Sequence, residues 1–285
     1  MNKERLPNRA LPSGALPSTT LSEAIGLKAG MMAAAVGGGG KTSILNALGD
    51  ECCAAGIHPV IHTTTTHFFA PEEEATTLLG SSERLVALIA ERVGAWPHHL
   101  ALARKRASRL SSKRFPGRDR MKLKGFEANE IAPFRDKSGV VLIEADGSRG
   151  LPIKAPGPHE PVLPPGVDIV LGIVGLDALG SPIDEEHVFR PERLSALCDL
   201  PIGAHVDATA IARLAAHTEG LFKNAPSGAW KYLILNKSDL IEPMEKLEQI
   251  GYIICNGVCP PSSQVEAVLF TACNETGARI LVKTP

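Results

Sequence analysis

Apolar residues fall in short unbroken runs, each closed by glycine or a polar turn, with stretches of helical periodicity between them. Met31 to Val36 is apolar, ends in four glycines and leads into Lys41 to Ala55, whose pattern is compatible with a helix. Pro59 to His62 predicts a second short strand, closing a right-handed βαβ unit with parallel strands. Gly139 to Ala145 (GVVLIEA), Asp168 to Val174 (DIVLGIV) and Lys231 to Leu235 (KYLIL) have the continuous apolar character of strands covered on both faces, and Val265 to Phe270 is a further strand candidate. Helical patterns at Pro191 to Leu197, Ala208 to Leu221 and Pro243 to Ile250 alternate with these runs. The expected fold is α/β: a doubly wound, mainly parallel sheet of P-loop NTPase type with helices on both faces.

The ends and one internal region break this rhythm. Residues 1 to 20 are rich in Pro, Ser and Thr without periodicity and read as a disordered tail, followed by a short amphipathic helix over Leu21 to Leu27. From Ser82 to Leu110 the segments SSERLVALIAERV and HHLALARKRASRL both read as helices, the first opened by a serine cap with Glu83 in its first turn. Residues 21 to 285 are thus expected to form a single domain with a helical, basic insertion around 82 to 135. Within it, Lys105, Arg106, Arg109, Lys113, Arg114, Arg118, Arg120, Lys122 and Lys124 are interrupted by one acidic residue, Asp119. Such a run is either a solvated face or a patch that meets phosphate or a partner.

Bulk properties narrow the classes. The chain has 285 residues, enough for one large α/β domain, and its 30 basic and 31 acidic residues leave a formal charge of -1, so no global field draws in nucleic acid or an anionic membrane. There is no run of 18 apolar residues, and three prolines interrupt the first twenty positions, so neither membrane spanning nor secretion is expected and the location expected is cytoplasmic. The six cysteines are too few for a disulfide framework and fit a reducing compartment; Cys255 and Cys259 lack the further ligands of a closed zinc site, and Cys52 and Cys53 read as small hydrophobes.

Three segments carry chemistry. In AVGGGGKTS, residues 35 to 43, Gly37, Gly38, Gly39 and Gly40 supply a loop whose backbone N–H groups can cradle phosphates. Lys41 is placed to reach the β and γ phosphates, and Thr42, with Ser43 as substitute, to ligate Mg²⁺. Ala35 stands where the GxxxxGK[S/T] pattern has glycine, which implies a differently shaped first turn. In VVLIEADGSRG, residues 140 to 150, an apolar strand delivers Glu144 and Asp146 to the carboxyl edge of the sheet as further Mg²⁺ or catalytic groups, and Glu144 and Gly147 have a Glu-x-x-Gly spacing that resembles the metallochaperone GTPases. In LILNKSDL, residues 233 to 240, Asn236, Lys237 and Asp239 match a guanine reader, because an aspartate accepts from the guanine N1 and N2 donors and adenine has no such pair. The ligand expected is therefore GTP ahead of ATP.

Thr63 to Thr66, in HTTTTHF, either contribute a switch-type contact to Mg²⁺ or phosphate or simply extend the strand. SRGLPIKAPGPHEPVLPPG (148 to 166) presents Arg149, Lys154, His159 and Glu160 near the nucleotide edge, and DEEHVFRPERL (184 to 194) adds His187 and Arg190. Each is a substrate-facing loop or a rigid connector.

In order, VGGGGKTS, HTTTTH, VLIEADGSRGLPIKAPGPHEPVLP, HVFRPE and LNKSD resemble the selenium-dependent hydroxylase accessory protein family, the YqeC-like proteins, over residues 21 to 275. The EADGSRGLPIKAP segment carries most of that resemblance. It implies a role in maturing selenium-containing molybdenum hydroxylases, with such an enzyme or its cofactor-assembly proteins as partner. Two other readings stand beside it: an ATP-dependent kinase or nucleotidyltransferase on a small cofactor precursor, with the basic segment gripping an anionic substrate, and a non-catalytic docking protein.

Overall fold

The computed structural model describes residues 20–70, 77–91, 99–112, 115–258, 265–272 and 281–283. The proposed tail up to residue 19, Lys113, Arg114, Cys259 and Cys273 lie outside the described residues. Thr20 is the N-cap of α1 (Leu21–Ala24), in a capping box with Glu23.

Fourteen strands follow in chain order among the described residues: β1 (Met31–Gly37), β2 (Val60–Thr64), β3 (His67–Phe69), β4 (Thr77–Leu79), β5 (His99–Ala103), β6 (Lys105–Ser112), β7 (Phe115–Lys124), β8 (Val140–Glu144), β9 (Ile153–Lys154), β10 (Ile169–Gly175), β11 (Val188–Phe189), β12 (Trp230–Asn236), β13 (Val265–Thr271) and β14 (Leu281–Lys283). The helices are α2 (Lys41–Ala54), α3 (Ser82–Glu91), α4 (Pro191–Cys198), α5 (Ala208–Ala216) and α6 (Met244–Val258). The main sheet runs β14-β13-β12-β10-β1-β8-β2-β5-β4. Every pairing in it is parallel except that of β14 at the edge. This is the doubly wound α/β fold that the apolar runs indicate.

Alternation along the central strands divides the interior in two. Ala33, Ala35, Leu142, Leu171, Ile173 and Ile234 pack with Ile44, Leu45 and Leu48 of α2 and Leu21 of α1. Ala34, Val36, Ile143, Val170, Leu233 and Leu235 pack on the other face with residues of α3 to α6. The interior is largely aliphatic, in keeping with an aromatic content of 4%. No helix among the described residues is long and apolar enough to cross a membrane.

The helical insertion is corrected by the structure. Residues 82 to 91 do form α3, but His99–Ala103 is a parallel strand beside β2, and Lys105–Ser112 pairs with Phe115–Lys124 in an antiparallel hairpin to which β3 adds a third strand. Leu, Ala, Lys and Arg are good helix formers, and here tertiary burial overrides that preference. Leu100, Ala101, Leu102 and Ala103 are all buried, while Leu123 packs against Phe68 with Met121 beside it, a period-two pattern within RDRMKLK.

Candidate functional site

β1 lies in the middle of the sheet between β8 and β10, and the chain builds outward on both sides of it. The carboxyl ends of β1, β8, β10, β12 and β13 therefore share one edge, the position where α/β sheets bind ligands. Gly37, Glu144, Gly175, Asn236 and Thr271 are their last residues.

Ala35 is still within the strand, paired with Leu171 and Glu144, so the turn begins at Gly37 and no glycine is needed two residues earlier. Gly37, Gly39 and Gly40 have φ of 95°, 78° and 117°. A Cβ on Gly39 would lie 2.0 Å from the Gly175 amide nitrogen, and one on Gly40 would lie 2.6 Å from Nδ2 of Asn236, so bulk is excluded as well as left-handed backbone required. Gly40 is the N-cap of α2 and no side chain caps that helix. Its first-turn amides, at Gly40 to Ser43, are the donors an anion can use.

The loop amides are not all turned inward, as the glycine run alone suggests. Gly37 N–H donates to Asp146 Oδ2 (3.0 Å), Gly38 N–H to the Ile173 carbonyl (2.9 Å) and Gly39 N–H to the Leu151 carbonyl (3.0 Å). Lys41, the first residue of α2, is buried, donates from Nζ to the Gly37 carbonyl (2.5 Å) and stands 3.1 Å from Asp146 Oδ1, an ion contact without hydrogen-bond geometry. Thr42 Oγ1 donates to Glu144 Oε1 at 2.8 Å. The two carboxylates thus divide their work: Glu144 meets the helix hydroxyl, and Asp146 meets lysines. Ser43, half-buried on α2, forms no hydrogen bond through its side chain among the described residues.

Asn236 ties the third segment to the first. Its Nδ2 donates to the Gly39 carbonyl at 2.8 Å, and its Oδ1 accepts from Thr271 Oγ1 at 3.0 Å, all three groups buried. Lys237, at φ 64°, pairs with Asp177, while Asp239 sits exposed on the 3-10 turn Ser238–Leu240. Thr271 and Asp177 are site residues that motif reading passes over. The cue for Thr271 is only its position at the end of a strand neighbouring β12.

Three of the four threonine hydroxyls are spent on backbone carbonyls, and Thr66 Oγ1 meets Thr64 Oγ1. Thr63 Oγ1 donates to Leu102 O, Thr64 Oγ1 to Glu144 O and Thr65 Oγ1 to Val162 O, at 2.9, 2.6 and 2.8 Å. Strand extension and loop fastening account for the run.

Beyond Asp146 a line of alternating charge leads away from the glycine loop. Lys154 Nζ, fully buried, lies 2.9 Å from Asp146 Oδ2 and 2.7 Å from Glu160 Oε2 and donates to the Gly147 carbonyl (2.8 Å). Glu160 Oε2 is also 2.7 Å from Arg190 Nη1. The two loops rich in charge and proline meet here, because β9 and β11 pair in parallel with Ile153 opposite Val188 and Lys154 opposite Phe189. Arg149 and Arg190 stand over the Phe189 ring, 4.9 and 4.4 Å from its centre. His187 instead turns back to Asp184 in its own turn at 2.8 Å, and His159 is exposed.

Burial by itself raises the Glu160 carboxyl; hydrogen bonds from Arg190 and Lys154, the Lys154 charge and the Gly157 N–H outweigh it and bring it from 4.5 down to about 2. A carboxyl depressed on folding adds stability above its unfolded value that is lost as it protonates. Unfolding free energy is therefore expected to fall as pH drops from 4.5 towards about 2, and Glu160→Gln to flatten that limb in urea melts. An unchanged limb would show that Glu160 is not held by these cations. Burial, reinforced by His99, lowers His62 to about 4, so its imidazole is neutral at physiological pH. Burial pushes the Cys52 and Cys198 thiols up to about 11, as packing residues require.

A doubly wound α/β protein with a glycine loop, a carboxylate strand and an Asn-Lys-Ser-Asp segment on one sheet edge is the class these observations define. The chain belongs to the YqeC family, whose model, described as YqeC protein, matches residues 33–192. It is 33% identical over 137 residues to a protein of Escherichia coli (strain K12) named "Uncharacterized protein YqeC", a match covering 44% of this chain and 54% of that one. The chain thus spans about half the length of this curated relative. No solved structure matches.

Proposed function

We propose that the chain binds a nucleoside triphosphate at the carboxyl edge of the sheet, with GTP preferred to ATP, and hydrolyses it as an accessory protein in maturing selenium-dependent molybdenum hydroxylases. The observation that carries the nucleotide reading is the Asn236 to Gly39 hydrogen bond, which fastens the base-reading segment to the phosphate loop across 197 residues of sequence. Phosphates rest on the first-turn amides of α2, Lys41 leaves Gly37 and Asp146 to meet the β and γ oxygens, and Asp239 accepts from the guanine edge.

A divalent cation fits the oxygen donors of Thr42 and Glu144. Among the described residues no three His, Cys, Asp or Glu side chains are grouped to hold a metal, so phosphates and water would supply much of the coordination sphere. Such a cation, when bound, neutralises charge on the transferring phosphoryl group. Withdrawal of Lys41 from Asp146 alters the charge line through Lys154 and Glu160 to Arg190, and Leu151 gives up the Gly39 amide if phosphate takes it. Nucleotide occupancy is thereby felt by the loops at 148 to 166 and 184 to 194, the surface offered to a partner enzyme.

Asp239→Asn tests the base reading. Loss of the carboxylate is expected to weaken a GTP analogue by about 10- to 100-fold and leave an ATP analogue nearly unchanged, measured by calorimetry, since a buried hydrogen bond to charge is worth roughly 1.5–3 kcal/mol. Equal weakening of both would remove the guanine assignment.

A further inference from the structure

His62 carries a buried imidazole nitrogen that meets no hydrogen-bond partner among the described residues. It sits on β2, where His62 is opposite Leu142 and Thr64 opposite Glu144 of β8, so His62 and Glu144 share one face as diagonal neighbours. Both side chains are 9% exposed, and Nε2 of His62 lies 4.0 Å from Oε1 of Glu144. That is too long for a hydrogen bond. Among the described residues Nε2 has no hydrogen-bond partner. Leaving such a nitrogen buried and unpaired costs about 1–3 kcal/mol, which calls for a ligand.

The separation suits an ion. Two protein ligands at about 2.0–2.2 Å from one metal can lie up to roughly 4.2 Å apart. The same Glu144 oxygen already meets Thr42 Oγ1 at 2.8 Å, so imidazole and hydroxyl both neighbour one carboxylate oxygen. The neutral imidazole has the lone pair that a metal takes. Hard Mg²⁺ favours oxygen, whereas imidazole favours borderline ions of the first transition series.

We propose that His62 Nε2 is a ligand of the divalent cation at this site, and that the set His62, Glu144 and Thr42 selects a nucleotide complexed with a transition-series divalent ion over one complexed with Mg²⁺. This rests on the reading that the nucleotide's cation sits between Thr42 and Glu144. No other residue of the described chain needs to join, because phosphate oxygens and water complete the sphere.

Pulsed EPR of the full chain with Mn²⁺ and a non-hydrolysable GTP analogue decides it. A ¹⁴N modulation from directly bound imidazole is expected in the wild type and absent in His62→Gln, and the calorimetric preference for the Mn²⁺ complex over the Mg²⁺ complex is expected to fall about tenfold in that variant. The wild-type spectrum answers the question even if the variant folds poorly. Mn²⁺ and analogue bound without nitrogen coupling would overturn the His62 assignment and leave the nucleotide site standing. Failure of the analogue to bind with either ion would overturn both.

Discussion

Lys154→Met is expected to lower unfolding free energy by about 3–5 kcal/mol. Lys154 is fully buried and is shared by Asp146 and Glu160, at 2.9 and 2.7 Å. Methionine fills much of the space and removes the ammonium, leaving Asp146 with Lys41 and the Gly37 amide, and Glu160 with Arg190 and the Gly157 amide. Removing one member of a buried charge set costs far more than the set contributes, because the partners keep their desolvation cost. Urea unfolding monitored by circular dichroism measures it. A loss below about 1 kcal/mol would mean that the cluster is hydrated in solution. Neutralising the partners together, as Lys154→Met with Asp146→Asn and Glu160→Gln, is expected to recover a large part of the loss.

Lys41→Ala is expected to act mainly on the ligand, with a smaller loss of stability than Lys154→Met because Lys41 meets one carboxylate and Lys154 two. Lys41 touches Asp146 and the Gly37 carbonyl, and in its absence Asp146 retains Lys154 and the Gly37 amide. Asp146 thus still faces one cation and one amide, and no second carboxylate loses a partner. Nucleotide affinity is expected to fall by about 100-fold or more, since a desolvated charge contact to phosphate is worth roughly 2–5 kcal/mol. Calorimetric affinity that survives the change would place the phosphates elsewhere.

Much of the architecture was legible because parallel strands covered on both faces are apolar along their length, as MMAAAV, VVLI, IVLGIV and YLIL are. Glycine, lysine and threonine at one strand-to-helix turn were equally plain. The hairpin of β6 and β7 was not, since RKRASRL has helical propensity and only pairing across the chain makes it extended. Nor does local sequence say that Lys154, lying between Ile153 and Ala155 in a proline-rich loop, is buried while Lys105 is exposed. Thr271 joins the site through Asn236, and Leu151 through the Gly39 amide, contacts that no spacing rule contains. The four threonines of HTTTTHF were ambiguous by nature, because a β-branched hydroxyl residue suits both a strand and a phosphate site.

A side-by-side calorimetric titration of the wild-type chain with non-hydrolysable GTP and ATP analogues in Mg²⁺ bears most directly on the nucleotide assignment. Saturable binding of the GTP analogue, at least about tenfold tighter than the ATP analogue, is the expected result. Binding of neither, or a preference for ATP, would contradict the assignment of Asn236 to Asp239 as a guanine reader fastened to the glycine loop.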